Sequence, residues 1–150
     1  MTAPYPHFAL TIRQPRWLTW SIYIVTACLL LSGITWLILH FWFQQHGEFG
    51  DTINPLEPWA LRVHGLAMLL GLFLYGSLLR THMTRAWHVR RNRVTGVIVS
   101  SIIGILTLTG YLLYYSADES VRPFISVAHW AIGLCIAVML PFHILHGRKR

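Results

Sequence analysis

Four stretches of this chain contain no Asp, Glu, Lys or Arg, and their lengths constrain the fold more than any other feature. They run from Trp17 to Gly47, Val63 to Leu79, Val94 to Ala117 and Pro123 to Gly147. A bilayer core about 30 Å thick needs about 20 helical residues at about 1.5 Å each. Three stretches meet that length outright. The second meets it when Arg62 and Arg80 snorkel to the two interfaces. The expected fold is therefore all-α, an integral membrane four-helix bundle of up-down topology. Composition agrees: the chain is 11% charged and 55% hydrophobic, against about 25% charged for an ordinary soluble domain.

The net charge of +7 invites a nucleic-acid partner until its distribution is considered. Arg13 and Arg16 precede the first apolar stretch. Arg80, Arg85, Arg90, Arg91 and Arg93 lie between the second and third, and Arg148, Lys149 and Arg150 follow the fourth. Ten of the twelve basic residues thus fall on one side of the membrane. All five acids (Glu48, Asp51, Glu57, Asp118 and Glu119) fall on the other. This is the positive-inside pattern, and it puts both termini in the cytoplasm. Basic clusters beside a bilayer attract anionic lipid, so lipid and not nucleic acid is the expected partner.

The expected organisation is a cytoplasmic N-terminal segment over residues 1–16, a transmembrane domain over 17–147 and a basic tail over 148–150. The first apolar stretch is too long for a cleavable signal peptide and lacks a small-residue cleavage site, so it is expected to stay as an anchor. Cys28 and Cys135 are expected as small packing residues. No C-x-x-C-H motif occurs, which argues against covalently attached haem. The helices are expected over Trp17 to Phe43, Trp59 to Met83, Arg93 to Tyr115 and Pro123 to His146. Loops are expected over Gln44 to Pro58, Thr84 to Asn92 and Ser116 to Arg122. Six of the seven Trp fall near the ends of these helices, where interfacial anchoring accounts for them.

Nine His in 150 residues is a high count for a membrane protein, because an ionisable group in lipid is costly and usually functional. His64 lies early in the second helix and His129 early in the fourth. These helices run parallel, and each residue sits about two turns in. Two imidazoles at one depth on neighbouring helices suit the axial positions of one haem iron. Zinc fits less well, because a structural zinc takes four ligands and no Cys or carboxylate lies at that depth. The alternative is a pair of packing histidines hydrogen-bonded to backbone.

A second pair is expected on the inner side. His129 and His143 are fourteen residues apart, which places them about 21 Å apart and within about 40° of one face. His82 follows His64 by eighteen residues, or five turns and about 27 Å. The two columns mismatch by about 6 Å, which helix tilt can absorb. His82 with His143 is the favoured inner pair, and His146 is the alternative ligand. His7, His40, His46 and His88 are expected at loops or interfaces, with His40 close enough to the outer pair to bond a propionate or a quinone. Arg62 and Arg122 beside the outer pair, and Arg80 beside the inner, are candidate propionate partners. Topology alone also explains them. Gly65, Gly71 and Gly133 follow the outer histidines at helical spacings, and Gly104 and Gly110 lie on the third helix; small residues there admit a flat group or a close helix.

Several of these runs resemble the bacterial four-helix b-type cytochromes. The family includes the membrane subunits of formate dehydrogenases and nickel–iron hydrogenases, and related small dihaem cytochromes. The matching runs are Ser32-Gly33, LRVHG at 61–65, LTGYLLYY at 108–115 and HWAIGLCIAVMLPFHILHGR at 129–148. The resemblance implies that His64 and His129 ligate an outer haem and that His143 ligates an inner one. The family's other inner ligand lies near the start of its first helix, in an Arg-x-x-His-Trp context. Here that stretch is Arg16-Trp17-Leu18-Thr19-Trp20, and Thr19 is not a haem ligand. His82 then replaces it from the second helix, or the inner haem is absent.

No hydride-transfer motif, nucleotide loop or nucleophile–base pair accompanies these features. The expected role is an electron-transfer subunit, not a self-sufficient enzyme. Its expected cofactor is haem b, two haems for the two histidine pairs, and its expected partners are a periplasmic redox protein or cytochrome c and membrane quinone or another membrane subunit. A haem-free structural or assembly subunit is the alternative.

Overall fold

A computed structural model of the protein describes residues 14–47, 50–90, 92–115 and 118–148. Helix α1 spans Arg16–Trp42 and α2 spans Glu57–Leu78. A π-helical turn, Leu79–Met83, continues α2 into the short helix α3, Thr84–His88. Helix α4 spans Arg93–Tyr115 and α5 spans Arg122–Arg148. The protein is an all-α four-helix bundle. Four of its helical segments are long and apolar enough to cross a membrane, which makes it multi-pass by architecture. Lipid offers backbone groups no hydrogen-bonding partner, and a helix satisfies them within its own segment.

The surface is apolar and the interior is sparse. Among the described residues Leu18, Ala60, Ala67 and Val99 are the buried apolar ones, and they are joined by the polar Ser32 and Glu57. Meanwhile Trp17, Trp20, Trp42, Trp59 and Trp87 are more than half exposed near helix ends, where an indole suits the headgroup belt. Large side chains face outward because lipid is as apolar as they are. Small and polar ones turn inward, where helices meet. Hydroxyls within the spans are satisfied locally. Ser77 donates to Phe73 O at 3.2 Å, Ser100 to Gly96 O at 2.8 Å and Thr107 to Ile103 O at 2.8 Å.

The bundle is built from two antiparallel hairpins. Helix α1 packs along α2 and α4 along α5, whereas α1 meets α5 only briefly and the α2–α5 seam is sparse. Each hairpin keeps one register. Between α4 and α5 it aligns Thr109 with His129, Leu106 with Gly133 and Gly96 with His143. Between α1 and α2 it aligns Ser32 with His64, Val25 with Gly71 and Gln14 with Thr81. The closest glycine approach is at the end of α5. A Cβ on Gly147 would lie 2.7 Å from Asn92 Nδ2, so the side chain of Asn92 occupies that space.

The connections differ in part from expectation. The loop after α1 contains a short antiparallel pair, β1 (Gln45–Gly47) and β2 (Gly50–Thr52). Asn54 then anchors the chain. Its Nδ2 donates to Phe43 O at 3.0 Å, and its Oδ1 accepts from Leu56 N at 3.0 Å. Glu57 and a Pro open α2, where a carboxylate favours the positive end of the helix. The basic stretch expected as a loop is helical to His88, after which Arg90 and Asn92 turn the chain with φ of 55° and 51°. Asn tolerates that left-handed conformation better than Arg does. The Arg93 guanidinium donates to Trp87 O and stacks over the Trp87 ring, closing the turn. Before α5, Asp118 Oδ1 accepts from Ser120 N at 2.9 Å and from its Oγ at 2.6 Å. These bonds hold the Asp118 carboxyl below its ordinary pKa. The expected N-terminal segment falls mostly outside the described residues, as do His7, Glu48, Arg91, Lys149 and Arg150.

Candidate functional site

Four histidines meet in two pairs across the seam between the hairpins. The rings of His64 on α2 and His129 on α5 have centres 6.3 Å apart and planes at 71°. The rings of His82, in the π turn, and His143 on α5 also have centres 6.3 Å apart, with planes at 84°. His146, the alternative inner residue, stacks on Phe142 at 5.8 Å. The π turn takes up part of the unequal spacing. It inserts an extra residue between His64 and His82, which removes about 1.5 Å of the about 6 Å mismatch.

The ring separation has a chemical meaning. An imidazole nitrogen binds a first-row metal at about 2.0–2.1 Å and lies about 1.1 Å from its ring centre, so two rings on opposite sides of one metal have centres about 6.2–6.4 Å apart. The observed separation of 6.3 Å falls inside that interval at both levels. Edge-to-face aromatic contact covers a broader range, about 4.5–7 Å. What discriminates is how the rings are held, because neither pair is joined by a hydrogen bond between its two imidazoles.

Three of the four rings are held instead by a hydroxyl on the neighbouring helix of the same hairpin. His64 Nδ1 lies 3.0 Å from Ser32 Oγ, His129 Nδ1 lies 2.8 Å from Thr109 Oγ1, and His143 Nδ1 lies 2.9 Å from Thr95 Oγ1. Each hydroxyl has a single proton and already donates it to its own helix. Ser32 Oγ donates to Cys28 O at 2.6 Å, Thr109 Oγ1 to Ile105 O at 2.8 Å and Thr95 Oγ1 to Asn92 O at 3.3 Å. At Ser32 and Thr109, where that bond is short, the hydroxyl oxygen is placed to accept from Nδ1–H; Thr95 lies closer to His143 Nδ1 than to Asn92 O. An Nδ1–H tautomer leaves the Nε2 lone pair free, the arrangement that metal-ligating histidines share. The fourth ring differs: His82 Nδ1 is buried without a hydrogen-bond partner.

A glycine follows each of the three hydroxyl residues and leaves room for the ring. A Cβ on Gly33 would lie 3.4 Å from His64 Cε1, one on Gly110 3.3 Å from His129 Cε1, and one on Gly96 3.7 Å from His143 Cε1. Of the glycines singled out in the sequence, Gly110 is the one that meets a histidine ring. Gly71 packs against Val25 and Leu29 of α1, Gly133 against Leu106 of α4, and Gly65 faces open space. The supporting residues missed from sequence are thus Thr95, Thr109, Gly96 and the role of Ser32-Gly33. A signal existed, because Thr95-Gly96 and Thr109-Gly110 repeat the fourteen-residue spacing of His143 and His129.

Other candidates have separate partners. The Arg62 guanidinium sits 4.6 Å over the Trp59 ring. Arg80 lines a shallow groove with Leu72, Phe73, Gly76, Ser77 and Thr81. Arg122 is exposed in the first turn of α5. His40 Nδ1 donates to the buried Glu57 carboxylate at 3.2 Å and its ring stacks on Trp36, which ties the end of α1 to the start of α2. Thr19, where the resembling family has a ligand, bonds Pro15 O at 3.4 Å. Among the described residues no group of three or more His, Cys, Asp or Glu converges. No family model, curated protein or solved structure matches the chain.

Proposed function

We propose that the protein is a membrane-bound b-type cytochrome, an electron-transfer subunit holding two haems b through His64 with His129 and His82 with His143. The observation that carries this reading is the repeated 6.3 Å ring separation across the seam at two depths. Haem accepts and releases single electrons, and the protein contributes ligation, position and a low dielectric. The side chains present suit that task. Ser32, Thr109 and Thr95 orient three ligands, and Gly33, Gly110 and Gly96 clear the space beside them. Across the sparse seam between hairpins the rings stand beside a brief α1–α5 contact and the Ser100–Met83 bond.

His129 and His143 lie on α5 at a rise of about 21 Å, so the two sites stand on opposite sides of the membrane midplane. Electrons pass between a periplasmic redox protein, such as a cytochrome c, and membrane quinone or a second membrane subunit. The basic residues around α3 and the C-terminus face the cytoplasm of a bacterial inner membrane and contact anionic lipid.

The test is spectroscopic. Protein purified from haem-supplied cells should show a b-type band on reduction, and pyridine haemochrome should give two haems per chain. Haem-free protein under those conditions sinks the cytochrome and favours the structural-subunit alternative.

A further inference from the structure

The inner site contains one ligand that is held differently from the other three, and its isolation follows from the fold. The α1–α2 register that sets Ser32 opposite His64 sets Gln14 opposite His82. Gln14 precedes the first turn of α1, which begins at Arg16, so the helix ends before it can present a hydroxyl there. The amide oxygen of Gln14 accepts instead from Thr81 Oγ1, at 3.4 Å. His82 Nδ1 is left buried with no partner. The same residue sits in the π-helical turn, a local irregularity that helices commonly place at functional positions. Its counterpart His143 has Thr95 at 2.9 Å and lies within α5, two residues after Pro141.

We infer that His82 is the one displaceable ligand of the four, and that the inner site binds a small neutral diatomic ligand of the carbon monoxide class when its haem is ferrous. This inference rests on the dihaem reading above. The exchange is a simple substitution. The Fe–Nε2 bond to His82 breaks and the imidazole leaves neutral with its lone pair. The incoming molecule supplies the pair for the new bond, and neither oxidation state nor protonation changes. His143, held by Thr95, stays as the opposite ligand. Outer-sphere partners are commonly worth about 10–100-fold in metal affinity, and that is the margin by which His82 is the weaker holder.

Carbon monoxide titration of the dithionite-reduced, purified full chain tests this, read by absorption with haem content measured in parallel. The expected result is that one haem of the two shifts to a carbonyl spectrum and the other stays low-spin. His82→Ala should keep that response and remove the competition, raising the apparent affinity. Ser32→Ala with Thr109→Val removes both supports of the outer pair and should bring the second haem into reaction. If that double variant loses its outer haem, Thr109→Val alone should show partial outer reactivity. Two low-spin haems that ignore saturating carbon monoxide overturn the inference and leave the cytochrome reading standing. Reaction of the outer haem first also overturns it. Absence of haem from the native protein overturns both.

Discussion

The outer and inner histidine pairs share one ring separation and differ in how the rings are supported. Outside, both imidazoles donate to a hydroxyl whose own proton is committed to a helix carbonyl. Inside, one imidazole has that support and the other has none. The cause lies in the first helix. The α4–α5 hairpin continues far enough to supply Thr109 and Thr95 in one register, whereas α1 supplies Ser32 and then ends. Ring separation can therefore be equal at two levels while ring support is not, because separation is set by the bundle and support by one neighbour.

The largest effect that would break this comparison is removal of a ring. His64→Ala or His129→Ala should remove the outer haem alone, halving the haem-to-chain ratio by pyridine haemochrome. His143→Ala should do the same to the inner haem. Loss of both haems from any one of these would mean that the two sites are not separable. A smaller effect sharpens the difference between the sites. Thr95→Val deletes the sole outer-sphere support of the inner pair and should weaken inner haem retention by about 10–100-fold. Thr109→Val leaves Ser32 in place and should cost the outer site less, as measured by haem transfer to an apo-acceptor. Equal losses would show that the hydroxyls do not act on the ligands. The smallest effect is expected from Gly110→Ala. Alanine favours a helix by about 0.8–1.0 kcal/mol over glycine, yet the new Cβ would meet His129 Cε1 at 3.3 Å. Thermal stability of the apoprotein should hold or rise while outer haem retention falls a few-fold. A fall in both would assign Gly110 to helix packing instead.

How much of this was legible in the sequence depended on whether one helix sufficed to read it. Uncharged runs marked the four spans, and the expected bounds of α4, Arg93 to Tyr115, coincide with those observed. The position of His143 relative to His129 followed from the rise of a single helix. His82 was harder, because its spacing assumed a continuous α-helix and the π turn changes both height and direction. The supports at Ser32, Thr95 and Thr109 were harder still. A Ser or Thr within a span ordinarily bonds its own backbone, as Ser77 and Thr107 do. Recognising the three that also hold a ring requires the register between two helices, which contacts such as Val25 with Gly71 fix and which composition does not carry.

The sparse seam has a consequence for how the molecule comes into being. Each hairpin holds its own register through its own contacts, and the two are joined through α3 and the turn at Arg90 and Asn92. Each can enter the bilayer as a finished unit during synthesis, the first before the second exists. On the proposed dihaem reading neither half contains a complete ligand pair, because the first hairpin brings His64 and His82 while α5 brings His129 and His143. Maturation would then be gated at its last step, with a half-synthesised chain unable to capture a prosthetic group and so unable to display redox activity before its partner hairpin arrives.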